Sequence, residues 1–197
     1  MVDVLAAVRS RLQQHFAAAG VLGDPAEANV TFLGADRISV LRFGPDADGV
    51  NHFVTLGCSR YPMVDPTDFV TENQLGPRAE VMVSLRPPSP NGLARSMAVL
   101  AAAPSVEGLV LEPGALVDLS GPLFENAPFT AFLLGPSTVE DVVLREPLSA
   151  VTVLQATPIT PTEAAWVRLK GAEAMREAWR TDGVDVLDAG RRASEPS

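Results

Sequence analysis

The tetrapeptide Thr160-Pro161-Thr162-Glu163 constrains the fold more sharply than any other stretch of the chain. Thr160 suits a helix N-cap, Pro161 the first helical position, and Glu163 can reach back to complete a capping box. A helix is therefore expected to begin here, which obliges the preceding apolar run to end. Ala164, Ala165, Trp166, Val167 and Leu169 carry the helix to Lys170, with Gly171 as its stop. A second helix is expected from about Ala172 to Arg180.

The N-terminal end gives a second helix signal. Val4, Leu5, Val8, Leu12 and Phe16 recur at steps of three and four, with Arg9, Arg11, Gln13 and Gln14 between them. This is an amphipathic helix of about four turns, stopping near Gly20 and packing on a core. From Asn29 the period changes. Val30 and Phe32, then Ile38 to Phe43, read as two short strands around Gly34-Ala35-Asp36-Arg37, and Gly44 to Gly49 is a loop. His52 to Leu56 forms a third strand closed by Gly57. Arg78 to Leu85 forms a fourth, with Val81, Val83 and Leu85 alternating against Glu80, Met82 and Ser84.

Pro87-Pro88-Ser89-Pro90 breaks that strand and introduces a helix with Leu93, Met97 and Leu100 on one face. Strand-like pieces return at Gly114–Leu119, Phe129–Leu134 and Ala150–Leu154. A helix followed by several neighbouring strands suggests an antiparallel or mixed sheet within an α/β (α+β) domain. With 197 residues, 47% of them hydrophobic, one domain over residues 1–187 is expected. Residues 188–197, rich in small and polar side chains, read as a disordered tail.

Charge and cysteine usage narrow the function. Fifteen Lys and Arg against 24 Asp and Glu give a net charge of -9, which disfavours phosphate-tracking nucleic-acid binding and anionic membrane surfaces. The single cysteine, Cys58, forms no internal disulfide and no multi-cysteine metal site. No signal peptide and no run of about 18 apolar residues is present, so a cytoplasmic location is expected. Phosphate-binding and dinucleotide-binding motifs are missing, and no cofactor or metal is expected.

Two enzymatic readings remain open on the residues. Cys58 or Ser59 follows a strand and a glycine, where nucleophiles often sit. Cys58 and His52, however, would lie about 20 Å apart along an extended strand, too far for a thiolate–imidazolium pair. A small-ligand-binding domain with a pocket between sheet and helices is the other alternative. Acidic pairs such as Asp65 with Asp68, or Glu140 with Asp141, read as solvated loop charges.

Three blocks carry a resemblance to a known family. They are Thr55-Leu56-Gly57-Cys58-Ser59-Arg60-Tyr61-Pro62-Met63, then Arg78 to Leu85, then Val153-Leu154-Gln155-Ala156-Thr157-Pro158-Ile159-Thr160-Pro161-Thr162-Glu163. In order and spacing they resemble the suppressor-of-fused domain family over roughly residues 28 to 185. Cys58 departs from the small or apolar residue common there, and the C-terminal helices are richer in alanine. The resemblance implies a mixed, largely antiparallel sheet flanked by helices and no enzymatic activity. It also implies a role in holding a partner protein, as the animal adaptors sequester a transcription factor and several bacterial members neutralise a toxin. Without the long C-terminal region of the animal proteins, the bacterial immunity type is the nearer analogue.

The expected contact surface is the turn after the third strand, with Ser59, Arg60, Tyr61 and Met63. Arg and Tyr are favoured at binding hot spots. Asp65 and Asp68 in the following loop could add an acidic rim suited to a basic partner.

Overall fold

The computed structural model describes residues 3–32, 36–64 and 75–194. It shows one seven-stranded mixed sheet with four α-helices against it. Helix α1 (Val4–Ala18) starts where the Asp3 carboxylate accepts the Ala6 N–H at 3.1 Å, and it buries Val8, Leu12 and Phe16. Strands β1 (Ala26–Val30), β2 (Ile38–Phe43), β3 (Asn51–Leu56) and β4 (Arg78–Leu85) follow as an antiparallel meander. Helix α2 (Leu93–Glu107) then leads to β5 (Leu116–Asp118), β6 (Ala131–Pro136) and β7 (Val151–Ile159). Helices α3 (Pro161–Lys170) and α4 (Ala172–Asp182) close the order.

In space the strands run β1-β2-β3-β4-β7-β6-β5, and among the described residues the β4–β7 pair alone is parallel. The largely antiparallel character expected from the sequence is thus what the register gives. On one face α2 packs against Ile38, Val40, Val81, Val83, Leu134 and Leu154. On the other face α1 covers Leu41, Phe43, Val54 and Met82, while α3 and α4 cover Ala131, Leu133 and Ile159. Helices on both faces explain why all eight residues of β4 are buried although they alternate apolar and polar. The alternation of Val81, Val83 and Leu85 marks a face correctly but does not mark the other face as solvent.

The first strand, expected around Val30 and Phe32, instead spans Ala26–Val30 and ends before Phe32, and two further expectations change in extent. The strand expected over Ala150–Leu154 continues to Ile159, through Pro158. Ile159 accepts the Thr130 N–H, so alternation points the Pro158 nitrogen away from β6. The β4 pairing ends at Gln155, so no ladder bond is lost there. The second change concerns residues 188–194, expected to be a disordered tail. Arg191 and Ser194 are instead buried, 7% and 4% exposed, because Arg191 has a buried carboxylate to neutralise. Residues 195–197 lie outside the described residues.

Candidate functional site

The turn after β3 is built from below by a buried carboxylate. The β3–β4 ladder reaches only Val54–Met82, and beyond it the strands separate. Into that gap comes the Glu80 side chain, 0% exposed. It accepts from the hydroxyls of Thr55 and Ser59 at 2.6 Å each, and from the N–H groups of Gly57 at 2.8 Å and Ser59 at 3.0 Å. The Cys58 N–H adds a longer bond at 3.3 Å. Thr55 Oγ1 meanwhile accepts the Val81 N–H at 2.9 Å, replacing a ladder bond with a side chain. Converging N–H donors around a carboxylate form a nest-like site, here filled by the protein's own Glu. Gly57 adopts φ +148°, and a Cβ there would lie 2.9 Å from Ile38 and 3.1 Å from the Arg37 carbonyl.

This geometry divides the six expected contact residues. Ser59 is 0% exposed and its hydroxyl is held by Glu80, so it braces the turn from inside. Met63 is 3% exposed, and its sulfur accepts the Leu111 N–H at 3.2 Å. Neither side chain is available at the surface, because the turn folds over its own core. Arg60 is half-buried, 3.9 Å from Asp36, and its carbonyl accepts from Arg78 at 2.9 Å. Tyr61 is 57% exposed at the lip of a cleft of about 180 Å³ that also meets Ala102, Pro104 and Val106 of α2. Asp65 and Asp68 lie outside the described residues.

The enzymatic alternatives fare differently. Burial, and after it the Glu80 charge, pushes the Cys58 thiol well above its ordinary value, so a thiolate is disfavoured. The Ser59 hydroxyl is committed to a carboxylate in the interior. His52, which sequence spacing separated from any partner, sits instead in a polar row on the other face of the sheet. Its Nε2 lies 2.8 Å from Asp46 Oδ2 and its Nδ1 lies 2.9 Å from Ser84 Oγ. The loop Gly44–Gly49 folds Asp46 back beside β3, where its other oxygen accepts the N–H groups of Asp48 and Val50, both at 2.9 Å. Burial alone would raise the Asp46 carboxyl, but these donors and His52 hold it below its ordinary value. The row lines a cleft of about 620 Å³ that Val186 and Leu187, after α4, also border. An aspartate and a histidine six residues apart across a Gly-rich loop was the signal available for it.

A second buried carboxylate fastens the C-terminal segment. Glu163 forms the expected capping box with Thr160, yet it also receives Trp179 Nε1 at 2.9 Å and the Ser194 N–H at 3.1 Å. Arg191 grips it with two nitrogens, at 2.7 and 3.0 Å. The Arg191 guanidinium lies 5.0 Å from the Phe129 ring centre and 5.5 Å from that of Trp179. Burial alone would raise the Glu163 carboxyl, but Arg191, the Thr160 N–H and Trp179 hold it below the ordinary carboxylate value. Among the described residues no group of three or more His, Cys, Asp or Glu is placed to hold a metal. Nor, among the described residues, is any helix long and apolar enough to cross a membrane.

Comparison with known proteins agrees with this architecture. Residues 34–192 match the family model described as Suppressor of fused protein (SUFU). No curated protein matches the chain. Among solved structures, a SUFU homologue from Neisseria gonorrhoeae superposes with TM-score 0.68 at 18% identity, over 98% of this chain and 97% of that one. A chain of the Sufu–Fu complex gives 0.68 at 15% identity, over 97% of this chain and 91% of that one. Drosophila Suppressor of Fused gives 0.69 at 16% identity, and there the matched region covers 97% of this chain but 51% of the other. At these identities the superpositions establish the fold, and the match over residues 34–192 establishes the kinship. This chain belongs to the suppressor of fused family.

Proposed function

We propose that this chain is a non-enzymatic protein-binding domain that sequesters or neutralises a partner through the surface around Arg60 and Tyr61. The observation that carries the reading is Tyr61, 57% exposed on a turn whose backbone is fixed from beneath by Glu80. A rigidly mounted aromatic side chain loses little conformational entropy on binding, which is why such residues dominate hot spots. Val106 of α2 is exposed and lines the same cleft as Tyr61. A family structure solved as a Sufu–Fu complex lends support, since that relative is seen with a protein partner.

The finer reading is an immunity-type role in a bacterial cytoplasm. A basic partner, such as a toxin domain, suits a net charge of -9 through electrostatic steering. Asp65 and Asp68 are proposed as an acidic rim of the same surface. The test is affinity capture of the tagged protein from its native cytosol with cross-linking and mass spectrometry, run beside Tyr61→Ala. One dominant protein cross-linked near Arg60 or Tyr61, and lost in the variant, is expected. Equal recovery of every protein by both forms would defeat the proposal.

A further inference from the structure

The cleft holding His52 lies on the face of the sheet opposite to Tyr61, and its chemistry is independent of the protein-binding surface. Its volume of about 620 Å³ falls within the range of small-ligand sites. One wall is the Val186–Leu187 segment, anchored where the Arg86 N–H donates to the Leu187 carbonyl at 2.8 Å. Its floor is formed by His52 of β3, Met82 and Ser84 of β4, and Gln155 and Thr157 of β7.

The floor has a defined hydrogen-bonding order. A carboxylate accepts only, so His52 Nε2 carries the proton that faces Asp46. Nδ1 of the same ring lies 2.9 Å from Ser84 Oγ. The Ser84 hydroxyl in turn donates to Gln155 Oε1 at 3.4 Å. Held through its oxygen, the Gln155 amide keeps its N–H groups for the cleft. Among the described residues the Thr157 hydroxyl has no protein partner. Gln155 and Thr157 stand two residues apart on one face of β7, roughly 7 Å, the repeat of same-side groups in an extended chain.

Anions are disfavoured, since Asp46 and Asp48 line the same cleft and Arg86 is already paired with Asp185 at 3.0 Å. We propose that this cleft is a binding site for a neutral, amide-bearing ligand, whose carbonyl accepts from the Gln155 amide N–H and the Thr157 hydroxyl. The ordered relay from Asp46 through His52 to Ser84 positions Gln155 for that role.

The test is a titration of ¹⁵N-labelled protein with N-methylacetamide, acetate and methylammonium, followed by NMR. Saturable shifts at Gln155 and Thr157 with N-methylacetamide alone are expected. Gln155→Met and Thr157→Val should each weaken it roughly fivefold, as loss of one hydrogen bond implies. Both side chains are half-buried, so the variants should melt like the parent, and Tyr61→Ala should leave the titration unchanged. Acetyl-trialanine methylamide and propionamide then separate a polypeptide source from a small carboxamide, and tighter binding of either supports the site. Absence of saturable shifts, preference for acetate or methylammonium, or indifference to both variants would overturn it. Covalent labelling of Ser84 by a fluorophosphonate would also overturn it, by showing that the relay activates the hydroxyl.

Discussion

Glu80 and Glu163 are both 0% exposed, yet they are stabilised in different ways. The five donors described around Glu80 are neutral hydroxyl and backbone groups, four of them from a single turn, Gly57 to Ser59. Around Glu163 the donors come from a helix cap, a second helix and a returning C-terminal segment, and one of them is a guanidinium. Glu80 thus shapes one local surface, whereas Glu163 joins distant parts of the chain. Breaking the first should loosen a binding face, and breaking the second should unfasten a whole end of the fold.

The largest expected effect follows from that contrast. Arg191→Ala leaves a buried carboxylate without its counter-charge and should destabilise the protein by about 3–5 kcal/mol in denaturant unfolding. Adding Glu163→Gln to Arg191→Ala should restore part of the loss. If the double variant is no more stable than the single one, the ion pair is not the fastening element. The same pair predicts acid behaviour. Glu163 titrates lower when folded than unfolded, so its contribution is present above the unfolded carboxylate value of about 4.3 and is lost as pH falls through the lower folded value. Glu163→Gln should flatten that acid limb in urea titrations run across pH.

Glu80→Gln comes next, at about 2 kcal/mol, because an amide accepts at one atom where the carboxylate accepts at two. Its distinguishing readout is faster amide exchange at Gly57 to Ser59 while the Glu163 region stays protected. Uniform loss of protection would erase the proposed division between local and long-range roles. Gly57→Ala should cost about 1–3 kcal/mol, since alanine at φ +148° is strained and its Cβ meets Ile38 and the Arg37 carbonyl. Tyr61→Ala is the smallest in stability, within about 0.5 kcal/mol, and should weaken partner binding by tenfold or more. A stability loss as large as that of Gly57→Ala would recast Tyr61 as a packing residue.

Much of the secondary structure was legible in local sequence. The Thr160–Glu163 box starts α3 where expected, Arg78–Leu85 is β4 to the residue, and Gly171 separates the two last helices. The surface was less legible. Tyr61 is exposed, but Ser59 and Met63 turn inward, and nothing in a run of nine residues tells which side of a turn meets a core. The Asp46–His52–Ser84 row was missed because spacing along an extended strand says how far apart residues are, not what a loop folds back beside them.

By itself the sequence determined most of the elements and their order, because capping, period and Gly/Pro punctuation act over a few residues, and the resemblance of three blocks pointed to the kinship. The tertiary structure decided which polar groups are buried. Glu80 is enclosed because helices cover both faces of β4, and Arg191 is drawn in because Glu163, 28 residues earlier, needs a counter-charge in the core. Burial of a charge depends on partners remote in the chain, and the cost of leaving such a group unpaired is what makes those distant segments meet.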